Sequence, residues 1–280
     1  MIIHSDWHIH SEASYDASQT LDEIARAAAG FGFTKFGITD HVNYNDNEFL
    51  AYLKKSAASV TAFQKEHKNV ILGAELTPIN KAEFAYIAKT GTREGYDASA
   101  STKAAGIELA QTKEELMALG LQYAIGAAHW RLDPADAGDP HDLKDSINEW
   151  YRLQLWLAAD ERVTILGHPW WNSKGLWYED FSVIPHTMHM DIAALLKENG
   201  KYVECNSHFF RSTHATEKFR HQYAEFLREL FEMGIPVTYG SDSHIAYGDD
   251  HLNTEKYLMA AGFKDGDIAE LSDKSLWQLR

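Results

Sequence analysis

The chain has 280 residues, 45% hydrophobic and 24% charged, a balance that suits a soluble globular protein with enough material for a sizeable core. Its formal net charge of −15 comes without any basic run, which argues against nucleic-acid binding by phosphate neutralisation. The single cysteine, Cys205, excludes an intrachain disulfide and a cysteine cage for metal.

No apolar stretch is long enough to span a membrane. Residues 1–6 have no basic start followed by an apolar run, so the expected location is the cytoplasm. Residues 3–10 alternate apolar and polar, the pattern of a strand. Strict alternation would put His4, Asp6, His8 and His10 on one face and Ile3, Trp7 and Ile9 on the other. Residues 11–18 read as a loop carrying Asp16. Thr20, with Glu23 three positions on, forms a capping-box start, and Gly30 and Gly32 end that helix. A second strand at 36–39 delivers Asp40 and His41. A helix covers much of 48–67, and a third strand at 70–74 ends at Glu75.

From Thr77 to Gly120 the rhythm breaks. The stretch is rich in small and polar residues, and only 112–119 reads as helix. So long an irregular insert is expected to serve as a flap beside a site. The alternation resumes with a strand over 122–128 ending at His129, a helix over 146–159, and a strand over 163–166 ending at Gly167-His168. A helix over 191–199 stops at Gly200. A strand at 202–206, a helix at 216–233 and a strand at 236–239 then lead to Gly240-Ser241-Asp242-Ser243-His244. His186, His189, His214 and His221 have no carboxylate placed to complete a site and read as surface residues.

Seven strands alternating with helices, in one domain over 1–280, predict an α/β fold with a parallel sheet. A closed barrel and an open doubly wound sheet both fit the pattern. No Gly-rich phosphate loop supports a nucleotide-binding open sheet. Candidate ligands fall at or just after strand ends: His8, His10, Asp16, His41, Glu75, His129, His168, Asp242 and His244. In α/β barrels the loops that follow the strands converge on one mouth. Singly, each residue has an ordinary reading as a surface histidine or a helix-capping aspartate; jointly they do not. Histidine and carboxylate donors without thiolate suit Zn, Mn or Fe in a catalytic site.

The Asp6-x-His8-x-His10 opening, Thr39-Asp40-His41, Gly73-Ala74-Glu75, the His129 and His168 strand ends and Asp242-Ser243-His244 resemble the polymerase-and-histidinol-phosphatase (PHP) superfamily over nearly the whole chain. The resemblance implies a distorted (β/α)7 barrel, TIM-barrel-like, that binds up to three divalent metal ions. By it, His8, His10, Glu75 and Asp242 would hold one ion. Glu75 would bridge to a second, with His129 and His168. Asp16, His41 and His244 would hold a third, where some members place a histidine in the position of Asp16. Glu75, Asp242 and His244 would stand at the catalytic centre. Asp6 is expected behind the ligands, either orienting His8 or His10 or in a plain buried hydrogen-bonding role.

The segment from Asn206 to Arg211 resembles the Asn-bearing segment that lines the family's active site, so Arg211 could grip a phosphate through paired N–H groups. Arg131 is a second candidate. His208 would supply a hydrogen bond or a proton, or lie on the surface; Trp130 and the Trp170-Trp171 pair would wall the mouth or pack on its rim against the long insert. The implied activity is hydrolysis of a phosphate ester by a metal-activated hydroxide. A small phosphomonoester such as histidinol phosphate leads among substrates. A nuclease or nucleotide phosphodiesterase would want a basic track that is missing. A non-catalytic metal-binding domain would have lost ligands, and none is lost. Hydrolysis of another bond, such as an amide, stays open, as does the oligomeric state.

Overall fold

The computed structural model describes residues 1–132 and 142–277. Seven strands carry the frame: β1 (Ser5–Ile9), β2 (Lys35–Ile38), β3 (Val70–Leu76), β4 (Tyr123–Gly126), β5 (Ile165–Leu166), β6 (Tyr202–Asn206) and β7 (Val237–Gly240). They lie side by side in chain order with every pairing parallel. The sheet returns on itself where Ile9 bridges Ser243 and the His8 carbonyl accepts from the Asp242 N–H. The result is a distorted (β/α)7 barrel. A short extra strand, His41–Val42, pairs with the end of β3.

Helices α1 (Leu21–Phe31), α2 (Asn47–Phe63), α3 (Lys81–Thr90), α4 (Lys113–Ala118), α5 (Leu143–Ala159), α6 (His186–Glu198), α7 (Glu217–Glu232) and α8 (Asp250–Ala260) are spaced along the chain between and after the strands. The expected capping box is formed: the Thr20 hydroxyl accepts from Glu23 N–H while Glu23 reaches back to Thr20 N–H. Gly32 closes α1 at φ 79°, a left-handed conformation that glycine adopts without strain.

The barrel interior is filled by Trp7, Tyr123, Ile125 and Ile165, with Leu271 and Leu276 packed against them from the C-terminal segment. Tyr123 determines its neighbours. Its hydroxyl donates to the Trp7 carbonyl at 2.7 Å, and a Cβ on Gly37 would stand 1.7 Å from that oxygen. Glycine on β2 therefore leaves the space through which β4 is tied to β1.

Three expectations need correction. First, β1 does not alternate strictly. Its pairing with β2 runs Ser5↔Lys35, Asp6↔Phe36 and then Ile9↔Ile38, so β1 carries one residue more than its partner. Such a bulge re-aims the side chains beyond it. Trp7 joins the barrel interior and Ile9 the outer core, while Asp6 accepts from the Tyr247 hydroxyl at 2.7 Å. Second, residues 77–120 are largely ordered. Ile79–Asn80 pairs antiparallel with Ile107–Glu108, and α3 is capped by Asn80 and closed by Gly91 at φ 76°. Only Glu83 and Ile87 of α3 are buried, too thin a stripe to register as periodicity. Third, α6 begins at His186 rather than near 191, which makes His189 a core residue. Its ring lies 4.7, 5.1 and 5.6 Å from those of Phe226, Phe181 and Trp170. His186 is exposed and pairs with Glu229 at 2.8 Å. No described helix is long and apolar enough to cross a membrane.

Burial, reinforced by His186, pushes the His189 imidazole down to about 4. The folded state thus prefers the neutral ring, so this stability is complete above pH 6.5 and is lost as pH falls toward 4. Urea unfolding of the wild type at pH 7 and pH 4.5 should differ by about 2–3 kcal/mol more than that of His189→Phe. An identical pH response in the two proteins would contradict the assignment.

Candidate metal centre

Glu75, near the end of β3, has no exposure to solvent. Five imidazoles surround its two oxygens. Oε2 lies 3.3 Å from His8 Nε2, 3.5 Å from His10 Nε2 and 2.7 Å from His41 Nδ1. Oε1 lies 3.2 Å from His129 Nε2 and 2.9 Å from His168 Nε2. Asp242, just after β7, brings Oδ1 to 3.3 Å from His10 Nε2 and 3.7 Å from His8 Nε2. His8 and His10 hold their Nε2 atoms 3.1 Å apart. On the solvent side, Asp16 Oδ2 stands 3.3 Å from His41 Nε2 and 3.6 Å from His244 Nε2, with the two nitrogens 3.3 Å apart. The structure thus brings together all nine strand-end residues singled out from the sequence.

Most of these spacings fall at 3.1–3.7 Å, within reach of a shared cation, while those at 2.7 and 2.9 Å are hydrogen-bond distances. Donors held about 2.0–2.2 Å from one tetrahedral ion stand roughly 3.3–3.6 Å apart. Glu75 Oε2 and His41 Nδ1 are both buried with no hydrogen-bond partner, although 2.7 Å apart. Orphaned polar atoms of this kind in a dry interior are costly unless a further group satisfies them. Groups of His and Glu donors able to converge on one ion occur here as His8–His10–Glu75, His41–Glu75–His129 and His10–His41–His244.

The electrostatics follow from crowding. Burial would push the Glu75 carboxyl up, but the imidazoles of His8, His41 and His129 pull it well below the usual carboxylate range. Asp242 is drawn down in the same way by His8 and His10 against its burial. Burial with His41 alongside pushes His10 down to about 3, leaving it a neutral lone-pair donor. Burial opposes charge on His41 too, yet Glu75 and Asp16 raise it to about 10. The cluster demands positive charge, and protons or metal ions are the two ways to meet that demand.

Surrounding residues fix this arrangement. Buried Asp40 accepts from Ser11 N–H, Ser11 Oγ and Ser56 Oγ at 2.6, 2.8 and 2.6 Å, anchoring the loop that presents Asp16. Asp6 meets His8 at the backbone and not at the ring. Its carboxylate accepts from His8 N–H and Ser241 N–H at 3.0 and 3.1 Å, tying the backbone of β1 to the chain just after β7, and burial pushes its pKa up to about 6. The carboxylate on the His8 ring belongs to Glu204 of β6, 2.7 Å from Nδ1. Alternation along Tyr202, Glu204 and Asn206 was the available signal for it.

A cleft of about 350 Å³ opens over the cluster. Its lining includes Tyr15, Asn43, Trp130, Trp171, His208 and Arg211. Arg211 is held by Asp250 at 2.5 Å and donates to the Asp242 carbonyl at 3.2 Å. Among the described residues Arg131 does not line this cleft, and its buried Nε and Nη1 find no hydrogen-bond partner there. Trp170 does not line it either. His168 and Trp170 have positive φ, 23° and 66°, and this turn drops Trp170 into the core beside Trp177 while Trp171 faces the cleft. No residue of 77–120 lines the cleft, but the insert begins beside the site, where Thr77 Oγ1 lies 2.9 Å from His129 Nδ1. A larger cleft of about 870 Å³, at the opposite end of the barrel beside Lys201, Tyr202 and Trp277, carries none of these ligands.

A family model described as the PHP domain matches residues 6–208. Among solved structures, the crystal structure of histidinol phosphate phosphatase from Lactococcus lactis, complexed with zinc, L-histidinol and phosphate, is similar with a TM-score of 0.65. The likeness covers 98% of this chain and 99% of that one at 17% identity, and is a likeness of fold. A probable phosphatase of Acetivibrio thermocellus is 41% identical over 51 residues, 18% of this chain; the match spans 20% of that relative's length.

The two adjacent indoles give a direct check on this geometry. Trp170→Ala should lower unfolding free energy by about 3–5 kcal/mol, whereas Trp171→Ala should cost much less. Chemical denaturation of both variants measures the difference. Equal losses would contradict the placement.

Proposed function

This chain belongs to the PHP domain family, and from that premise we propose that it is a metal-dependent hydrolase of phosphate esters acting on a small phosphomonoester. The observation that carries the reading is the convergence of nine histidine and carboxylate side chains, centred on buried Glu75, beneath an aromatic-walled cleft.

In this reading His8, His10, Glu75 and Asp242 hold one divalent ion. Glu75, His129 and His168 hold a second, and Asp16, His41 and His244 a third. The donor set suits Zn, Mn or Fe, and the zinc of the L. lactis structure supports the first of these. Bound there, the ions would neutralise the ester's oxygens and make water nucleophilic at neutral pH.

The chain's own residues supply the rest. Arg211, its fork fixed by Asp250 and the Asp242 carbonyl, offers its remaining N–H groups to phosphate oxygens. His208, pushed down to about 4 by burial, faces the cleft as a neutral imidazole able to donate one hydrogen bond. Tyr15, Trp130 and Trp171 wall the opening, limit water and give the leaving group an apolar surface. A volume of about 350 Å³ is at the small end for ligand sites, which favours a compact substrate over a polymer. Histidinol phosphate is one candidate, supported by the L-histidinol and phosphate in the L. lactis complex. Cys205, the single and buried cysteine, accords with a cytoplasmic setting.

Metal analysis combined with phosphate release from a panel of monoesters tests the proposal, with nucleotide diesters and single-stranded oligonucleotides as controls. The wild type should carry two to three metal ions and turn over monoesters. Glu75→Ala should lose bound metal and about 10³-fold in activity. Arg211→Ala should lose roughly 10–100-fold in kcat/KM with its metal retained. Failure of the wild type to bind metal after reconstitution, or full activity in Glu75→Ala, would overturn the reading.

A further inference from the structure

The nine proposed ligands leave one buried carboxylate of the site without a role. Glu204 sits on β6, and β7 lies between it and the closing strand β1. Its side chain nevertheless reaches β1. Oε1 lies 2.7 Å from His8 Nδ1, and Oε2 accepts from the His168 backbone N–H at 2.5 Å. Asn206 Nδ2 donates to Oε1 at 3.3 Å and to Asp242 Oδ2 at 3.2 Å. One carboxylate therefore touches His8 and His168, which stand on opposite oxygens of Glu75.

The passage across β7 is opened by the side chain that residue 240 lacks. A Cβ on Gly240 would stand 1.8 Å from Glu204 Oε1, 2.9 Å from its Cδ and 2.7 Å from His8 Cβ. The φ of Gly240 is not in the left-handed region, so the backbone does not require glycine there. The space does.

A carboxylate on Nδ1 selects the tautomer in which that nitrogen carries the hydrogen and Nε2 keeps its lone pair. His8 Nε2 is the atom that faces Glu75 and Asp242. The second oxygen anchors His168 by its backbone, at φ 23°, with its ring Nε2 2.9 Å from Glu75 Oε1. We propose that Glu204 is a positioning residue that sets the donor atoms of His8 and His168 together, coupling the two metal positions that share Glu75, and that Gly240 is the opening it requires. This rests on the metal-centre reading above.

Calorimetric titration of the metal-free full chain with zinc tests it in four proteins: wild type, Glu204→Gln, Gly240→Ala and the double variant. In Gly240→Ala every ligand and Glu204 itself remain, but the added Cβ meets the Glu204 carboxylate and His8 Cβ alike, so both must shift. Each single variant should bind zinc about 10–100-fold more weakly. The double variant should be no weaker than Gly240→Ala alone, because that change already removes the Glu204 contact with His8. Near-UV circular dichroism and melting of the metal-free proteins separate this from a general loss of fold; should one single variant not fold, the other decides. Wild-type zinc affinity in a folded single variant, or additive losses in the double, overturns the proposal. A wild type that binds no zinc overturns the metal centre itself.

Discussion

A fully buried carboxylate ringed by imidazoles is tenable only if positive charge is distributed among them, and Glu75 imposes that condition on the whole barrel mouth. Nitrogen lone pairs and carboxylate oxygens packed 2.7–3.7 Å apart repel one another unless a proton or cation intervenes. The surrounding structure enforces the crowding rather than relieving it. Backbone hydrogen bonds lock β1 to the chain beyond β7, Asp40 pins the Asp16 loop, and the strands deliver their terminal side chains to one place. The fold supplies the rigidity, and the side chains supply the demand for charge.

Ligands at strand ends were legible because strand, turn and donor are neighbours in sequence. His129 and His168 needed no knowledge of any other element. The features that escaped depend on partners far along the chain. The β1 bulge is a relation between β1 and β2, and nothing in residues 3–10 alone shows which will carry the extra residue. Trp170 and Trp171 are chemically alike, and only the left-handed turn decides which enters the core. Helix α3 buries too few residues to produce a pattern. Glu204 reads as an ordinary polar position in a strand until His8, 196 residues away, is placed beside it.

The cleft divides its labour by chemistry. Its floor is a set of metal-type donors, one wall carries a guanidinium and a neutral imidazole, and the remainder is aromatic. A chain with net charge −15 would repel a phosphorylated molecule at long range. Cations bound in the floor would reverse that field locally, where a substrate docks. The acidity of the chain and an anionic substrate are compatible on those terms, and a long polyanion gains little from so confined a source of positive charge.

Closure of the barrel by β1 against the region after β7 also has a kinetic consequence. Asp6 meets Ser241 across 235 residues, so this contact is among the most non-local the chain can make. Loop-closure entropy opposes it until the intervening units have collapsed. During synthesis, a nascent chain that has emerged only through the sixth strand already holds His8, Glu75, His129 and His168, but lacks Asp242 and the backbone partners that fix β1. Completion of the histidine and carboxylate cluster therefore waits for closure of the barrel, and any ion captured there would act as a latch on that closure rather than as a nucleus for earlier steps.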